Sequence, residues 1–129
     1  MSDVKIEFFH QPELDSLRPF SRAVRAGNMV YVSGHSAPHD PSIGVHRGFT
    51  AAEEVKNALD YMAVLLKDAG SGLDLAVQIT MLIGEKSDYP DINAEYIKHF
   101  PHGLPARHTA LFGVPSDARV AFSCVALIA

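Results

Sequence analysis

"TAAEEVKNALDYMAVLLKDAG", residues 50–70, decides how the rest of the chain is read. Val55, Ala58, Leu59, Met62, Leu65 and Leu66 recur at steps of three and four, which is one apolar stripe on a helix. Thr50 and Glu53 form a capping box at its start: the hydroxyl accepts a free N–H and the carboxylate reaches back. Gly70 supplies the stop. A helix with a single apolar stripe needs a surface to lie on, and the segments around it supply strands.

Residues 4–9, VKIEFF, alternate Val4, Ile6 and Phe8 against Lys5 and Glu7, a short strand with that face buried. In SRAVRAGNMVYVSGHSA, two strand-like runs over 21–26 and 29–36 flank Gly27-Asn28, a tight-turn pair that predicts a hairpin. A further short edge strand is expected near Val45. Residues 73–84 read as a strand with Val77, Ile79, Met81 and Ile83 on one face. Asp88 is expected to cap a second helix with Pro90 in its first turn and Ile92, Tyr96, Ile97 and Phe100 as its stripe. Residues 106–112 and 118–128 are the last strands. The order is β-β-β-α-β-α-β-β.

Both helices follow a strand and precede one, so one mixed sheet with both helices on one face is the economical packing. Met29-Val30-Tyr31-Val32 and Val120 through Ala129 are apolar on both faces, however. A two-layer chain would leave one face bare. Self-association is the common remedy, so a homo-oligomer is expected.

The chain has 129 residues, 47% hydrophobic and 20% charged, which fits one globular domain over residues 1–129. Formal net charge is −4, and no basic footprint for nucleic acid runs through the chain. Arg18, Arg22 and Arg25 cluster locally and read as a solvated strand edge. No apolar run has the length of a membrane span and MSDVKIEFFHQPE is not a signal peptide, so a cytoplasmic place is expected. The single cysteine, Cys124, lies in an apolar run and reads as a buried small hydrophobe.

Seven histidines raise the question of a metal. His35, His39, Asp40 and His46 fall in a stretch broken by Pro38, Pro41 and Gly44, which cannot present them on one helix face. No metal site is assigned. His99 is expected to complement a helix C-terminus. There is no G-x-S-x-G elbow and no phosphate or dinucleotide loop.

The residue that stands out is Arg107 in "GLPARHTALFGV", residues 103–114. A permanent charge opens an apolar strand, which calls for a partner. Two readings are open: an ion pair with a structural acid, or a bidentate clamp for an external carboxylate. The final strand, VAFSCVALIA, offers no acid.

The stretches "RPFSRAVRAGNMVYVSGH", "AAEEVKNALDYMAVLLKDAG", "INAEYIKHF", "LPARHTALFGVP" and "VAFSCVALIA" resemble, in order and spacing, the Rid family (YjgF/YER057c/UK114) of enamine/imine deaminases. The resemblance implies an α+β, chorismate-mutase-like (YjgF-like) fold. It implies a homotrimer whose sheets close into a central barrel, with ligand clefts between subunits. It implies hydrolysis of a small carboxylate-bearing 2-enamine or 2-imine to a 2-oxo acid and ammonia, without metal or organic cofactor. Arg107 would bind the carboxylate, the Thr109 carbonyl would hold water, and Ser33, Gly34 and Asn93 would line the cleft. Two positions depart. The family's cleft tyrosine is Phe20 here, and the glutamate of its last strand aligns with Ser123, which can hold a water but is no carboxylate base. These departures leave room for a carboxylate-binding protein without turnover, or for a larger aminomuconate-type substrate.

Overall fold

The computed structural model describes residues 5–9 and 19–129. Six strands make one sheet: β1 (Ile6–Phe9), β2 (Ala23–Ala26), β3 (Met29–His35), β4 (Ala76–Ile83), β5 (Ala106–Leu111) and β6 (Val120–Leu127). Among the described residues two α-helices, α1 (Ala51–Asp68) and α2 (Tyr89–Ile97), join the sheet in an α+β fold. The strand order is β1-β2-β3-β6-β4-β5. Neighbours run antiparallel except β4 and β5, which are parallel.

Two crossovers explain the layering. β3, α1 and β4 form one, because β3 and β4 both run antiparallel to β6. β4, α2 and β5 form the next. Both step in the same direction across the sheet, so right-handed connections place both helices over the same face. The first crossover skips one strand position, and β6 fills it. Val30 and Val32, Ile79, Met81 and Ile83, and Val120, Phe122 and Cys124 point to that face. There they meet Val55, Leu59, Met62 and Leu66 of α1 and Ile92 and Tyr96 of α2 in one buried cluster.

The local signals act largely as expected. Thr50 Oγ1 accepts from Glu53 N at 3.1 Å, and the Glu53 carboxylate accepts from Phe49 N, one residue earlier than a standard capping box. At the other end Gly70, at φ +87°, follows α1. Ser71 N bonds Leu66 O and Gly70 N bonds Lys67 O, the two bonds of a Schellman stop. The Gly27-Asn28 turn joins β2 to β3 with Gly27 at φ +60° and no positive φ at Asn28. That matches the turn with glycine in the first central place.

Several expectations need correction. Ile6 and Phe8 do not face the core; they are 57% and 64% exposed, and Phe9 packs inward instead. Val4 lies outside the described residues. Residues 73–75 form a 3-10 turn, and β4 begins at Ala76. Val77 leaves the buried face, because the pairing with β6 shifts between Ala76 and Gln78. Such a bulge adds one residue and turns the next pair outward. Asp88 makes no side-chain cap; it sits in helical conformation at the end of a 3-10 turn that feeds α2. Ile97 is exposed and the stripe of α2 is Ile92 and Tyr96, continued by Phe100. Near Val45 there is a single bridge to Asp40 around a 3-10 turn, not a strand. β2 is an inner strand, covered by β1. Arg22 therefore turns onto Tyr61 of α1, and Arg25 reaches the end of α1 at Gly70. Arg18 lies outside the described residues.

The face away from the helices carries Ile6, Phe8, Tyr31, Val125 and Leu127, with Leu82 beyond. In one chain Tyr31 remains 47% exposed there. The bare apolar face expected from the sequence is present.

Phe122 is the largest fully buried side chain and touches both layers. Phe122→Ala is expected to cost about 3–5 kcal/mol in denaturant unfolding. A loss under about 1 kcal/mol would mean that the core does not centre there.

Candidate functional site

Arg107 is the second residue of β5, and its register with Ile79 turns it to the helix side of the sheet. There α2 covers it. The guanidinium carbon lies 4.8 Å from the Tyr96 ring centroid and 5.8 Å from that of Tyr89. Its Nη2 donates to Tyr89 Oη at 3.0 Å. Cation–π contact holds the charge and leaves most of its hydrogen-bonding edge unused. Among the described residues no carboxylate pairs with Arg107. Of the two readings, the structural ion pair is not made.

Thr109 lies two residues further on the same face. It lines a cavity of about 300 Å³ with Ile83, Lys86, Tyr89, Ala110 and Leu111. Asn93 is one helical turn beyond Tyr89. Its buried Oδ1 has no partner. The Tyr96 hydroxyl, buried behind Arg107, also lacks one, and burial pushes its phenol up to about 12 against the opposing arginine charge. Two buried polar atoms without partners thus lie on the helix that covers Arg107.

The other residues singled out from the sequence stand elsewhere. Ser33 and Gly34 occupy the irregular step of β3 between Val32 and His35. Ser33 Oγ donates to Ser21 O at 2.5 Å, beside Phe20, which is half exposed. β6 and β4 separate this group from β5. Ser123 pairs with Thr80 and so faces the bare side, opposite to Arg107. One chain thus brings together Arg107, Thr109 and Asn93, and holds Phe20, Ser33 and Gly34 apart from them. The sequence alone does not single out Tyr89 and shows Tyr96 only as part of an apolar stripe. Tyr89, Asn93 and Tyr96 recur at four and three residues on one helix face, a spacing that could have revealed them.

The remaining candidates are structural. Cys124 is buried and its thiol is pushed up to about 12 by that burial, so it is a poor nucleophile. His99 Nε2 bonds Glu95 at 2.8 Å, on its own helix. A second cavity of about 280 Å³ lies near His39 and His46, but its arginines are taken: Arg47 pairs with Asp117 at 3.1 Å and Arg119 with buried Glu54 at 3.5 Å. Among the described residues, no three His, Cys, Asp or Glu side chains are grouped to hold a metal ion. No described helix is long and apolar enough to cross a membrane.

The sequence pattern of the Endoribonuclease L-PSP family matches residues 10–128. The chain belongs to the Rid/YjgF/YER057c/UK114 family. It is 32% identical over 87% of its length to the human 2-iminobutanoate/2-iminopropanoate deaminase, covering 82% of that protein. It is 28% identical to Reactive Intermediate Deaminase A of Arabidopsis thaliana over 88% of its length, but spans only 60% of that relative. The crystal structure of a YjgF-family protein from Neisseria meningitidis superimposes with a TM-score of 0.80, at 21% identity, over 97% of this chain and 96% of that one. The expected YjgF-like fold is therefore present in this Rid-family chain.

His35, at the end of β3 beside Ser33 and Gly34, carries a pH signature. Its ring packs edge-on against Tyr61 at 5.3 Å, and Nε2 is buried without a partner. Burial first, with the Arg22 charge adding and a backbone bond to Ser36 opposing, lowers its pKa to about 4. The unfolded chain then binds the extra proton between about pH 6.5 and 4, so stability is full above that window and falls as pH drops through it. His35→Phe is expected to flatten the slope by up to about 3 kcal/mol across it. Equal slopes in urea titrations of both proteins would contradict this.

Proposed function

We propose that this chain is a deaminase that hydrolyses a small 2-imino acid, or its 2-enamino tautomer, to a 2-oxo acid and ammonia. The observation that carries the reading is Arg107, held between two tyrosine rings with no carboxylate of its own. A planar fork of donors in that state fits a substrate carboxylate. The human relative's name states imine deamination, and its two named substrates both carry a carboxylate. Clamping it positions C2, an electrophilic carbon, for water held by the Thr109 carbonyl. Orientation of that kind supplies most of what an imine hydrolase needs, with no cofactor in the scheme.

The proposal includes a homotrimer. Three copies that turn their bare faces inward bury Tyr31 and Leu127 in a central barrel. Each cleft then takes Arg107, Thr109 and Asn93 from one copy and Phe20, Ser33 and Gly34 from the next. Ser123, on the bare face, falls to the surface where copies meet.

Two experiments test this. With 2-iminopropionate made in situ by an amino-acid oxidase and trapped by semicarbazide, the unaltered protein should lower the trapped imine. Arg107→Ala should lose about a hundredfold in kcat/KM, the scale of a charged double hydrogen bond. No difference from buffer for any imino acid would sink the reading; tight binding of 2-oxo acids without turnover would make the cleft a sensor instead. In sedimentation, Tyr31→Asp should convert a trimer to a folded monomer with little activity. A fully active monomer would remove the shared cleft.

A further inference from the structure

The Tyr89 hydroxyl has an unusual set of neighbours. Arg107 Nη2 donates to it at 3.0 Å, and the Asn93 side chain lies one helical turn on, on the same helix. With the arginine donor on its oxygen, the phenol keeps its own hydrogen to donate. Its ring lines the same cavity as Thr109. The donor is thus held next to the carboxylate clamp and beside the wall assigned to water.

We propose that Tyr89 is the proton donor to the substrate nitrogen, a role that rests on the deaminase reading above. In the addition step, the water oxygen bonds to C2 and the C=N pair moves to nitrogen. Nitrogen takes the Tyr89 proton, and the new oxygen returns one to the phenolate. In the elimination step the exchange repeats. Nitrogen is protonated again, the C–N bond breaks with its electron pair going to nitrogen, and the hydroxyl proton refills the phenolate as the carbonyl forms. Ammonia leaves and Tyr89 ends as it began. Between transfers the phenolate is steadied by the Asn93 amide and the Arg107 charge. In keeping with this, the Asn93 side chain foremost, and the Arg107 charge next, lower the Tyr89 phenol from its ordinary value. A hydroxyl so placed also supplies to the cleft what Phe20 lacks.

Tyr89→Phe tests it, because phenylalanine keeps the ring against Arg107 and removes only the hydroxyl. The full chain is assayed with 2-iminopropionate for kcat and KM, and by calorimetry for pyruvate, which needs the clamp but no proton transfer. The expected result is a fall in kcat of about tenfold or more with pyruvate affinity kept within about threefold. Unchanged kcat overturns the role. So does a parallel loss of kcat and pyruvate affinity, which would mean that the hydroxyl only props the guanidinium. Arg107→Ala, run beside it, separates the two ideas. Loss of activity there with an unimpaired Tyr89→Phe protein keeps the deaminase and rejects Tyr89. No turnover by the unaltered chain rejects both.

Discussion

Strand β4 connects back to β3 through α1 and forward to β5 through α2, and both connections step the same way across the sheet. The handedness of such crossings puts both helices over one face. Much of the rest depends on that. The core lies on one side, between Phe122 and the stripe of α1. The other side keeps Ile6, Phe8 and Tyr31 in the open. The last strand reached, β5, lies at the sheet edge with α2 beside it, and Arg107 is caught between the two.

Arg107 is held by rings rather than by an acid. A carboxylate in Tyr89's place would have satisfied the guanidinium and closed the site to any anion. Aromatic faces stabilise the cation by a smaller amount and leave its hydrogens outward. The buried Tyr96 hydroxyl and the Asn93 oxygen on the same helix are both unpaired. Buried polar atoms left without partners cost stability locally, which the proposed carboxylate clamp would account for.

The sequence made the sheet legible because its elements carry strong local signals. The Thr50 cap, the Gly70 stop and the Gly27-Asn28 turn are short-range devices, and each occurs where its chemistry requires it. Errors came where one residue changed phase or where the environment was set from afar. The bulge at Val77 reverses an alternation that looks regular in sequence. Ile6 and Phe8 look inward-facing until their register with Ala26 and Val24 of β2 shows which side of the sheet they are on. At the candidate site Arg107 was legible as a charge out of place. Tyr89 was not, since an aromatic at the start of a helix usually reads as packing. Its meaning comes from a strand that follows by eighteen positions. The grouping of Phe20, Ser33 and Gly34 away from Arg107 was also hidden, because strand order is not sequence order.

The slot filled by β6 has a kinetic side. β3 and β4 stand ready on either side of it, but the strand that joins them comes last, and Met29 pairs with Leu127 across most of the chain. Contacts so distant in sequence are slow to form. Until β6 docks, β3 and β4 each present an open edge with apolar side chains, the kind of surface that recruits strands from other molecules. Dilution and low temperature during refolding should therefore matter more to recovery of this protein than the strength of its helices.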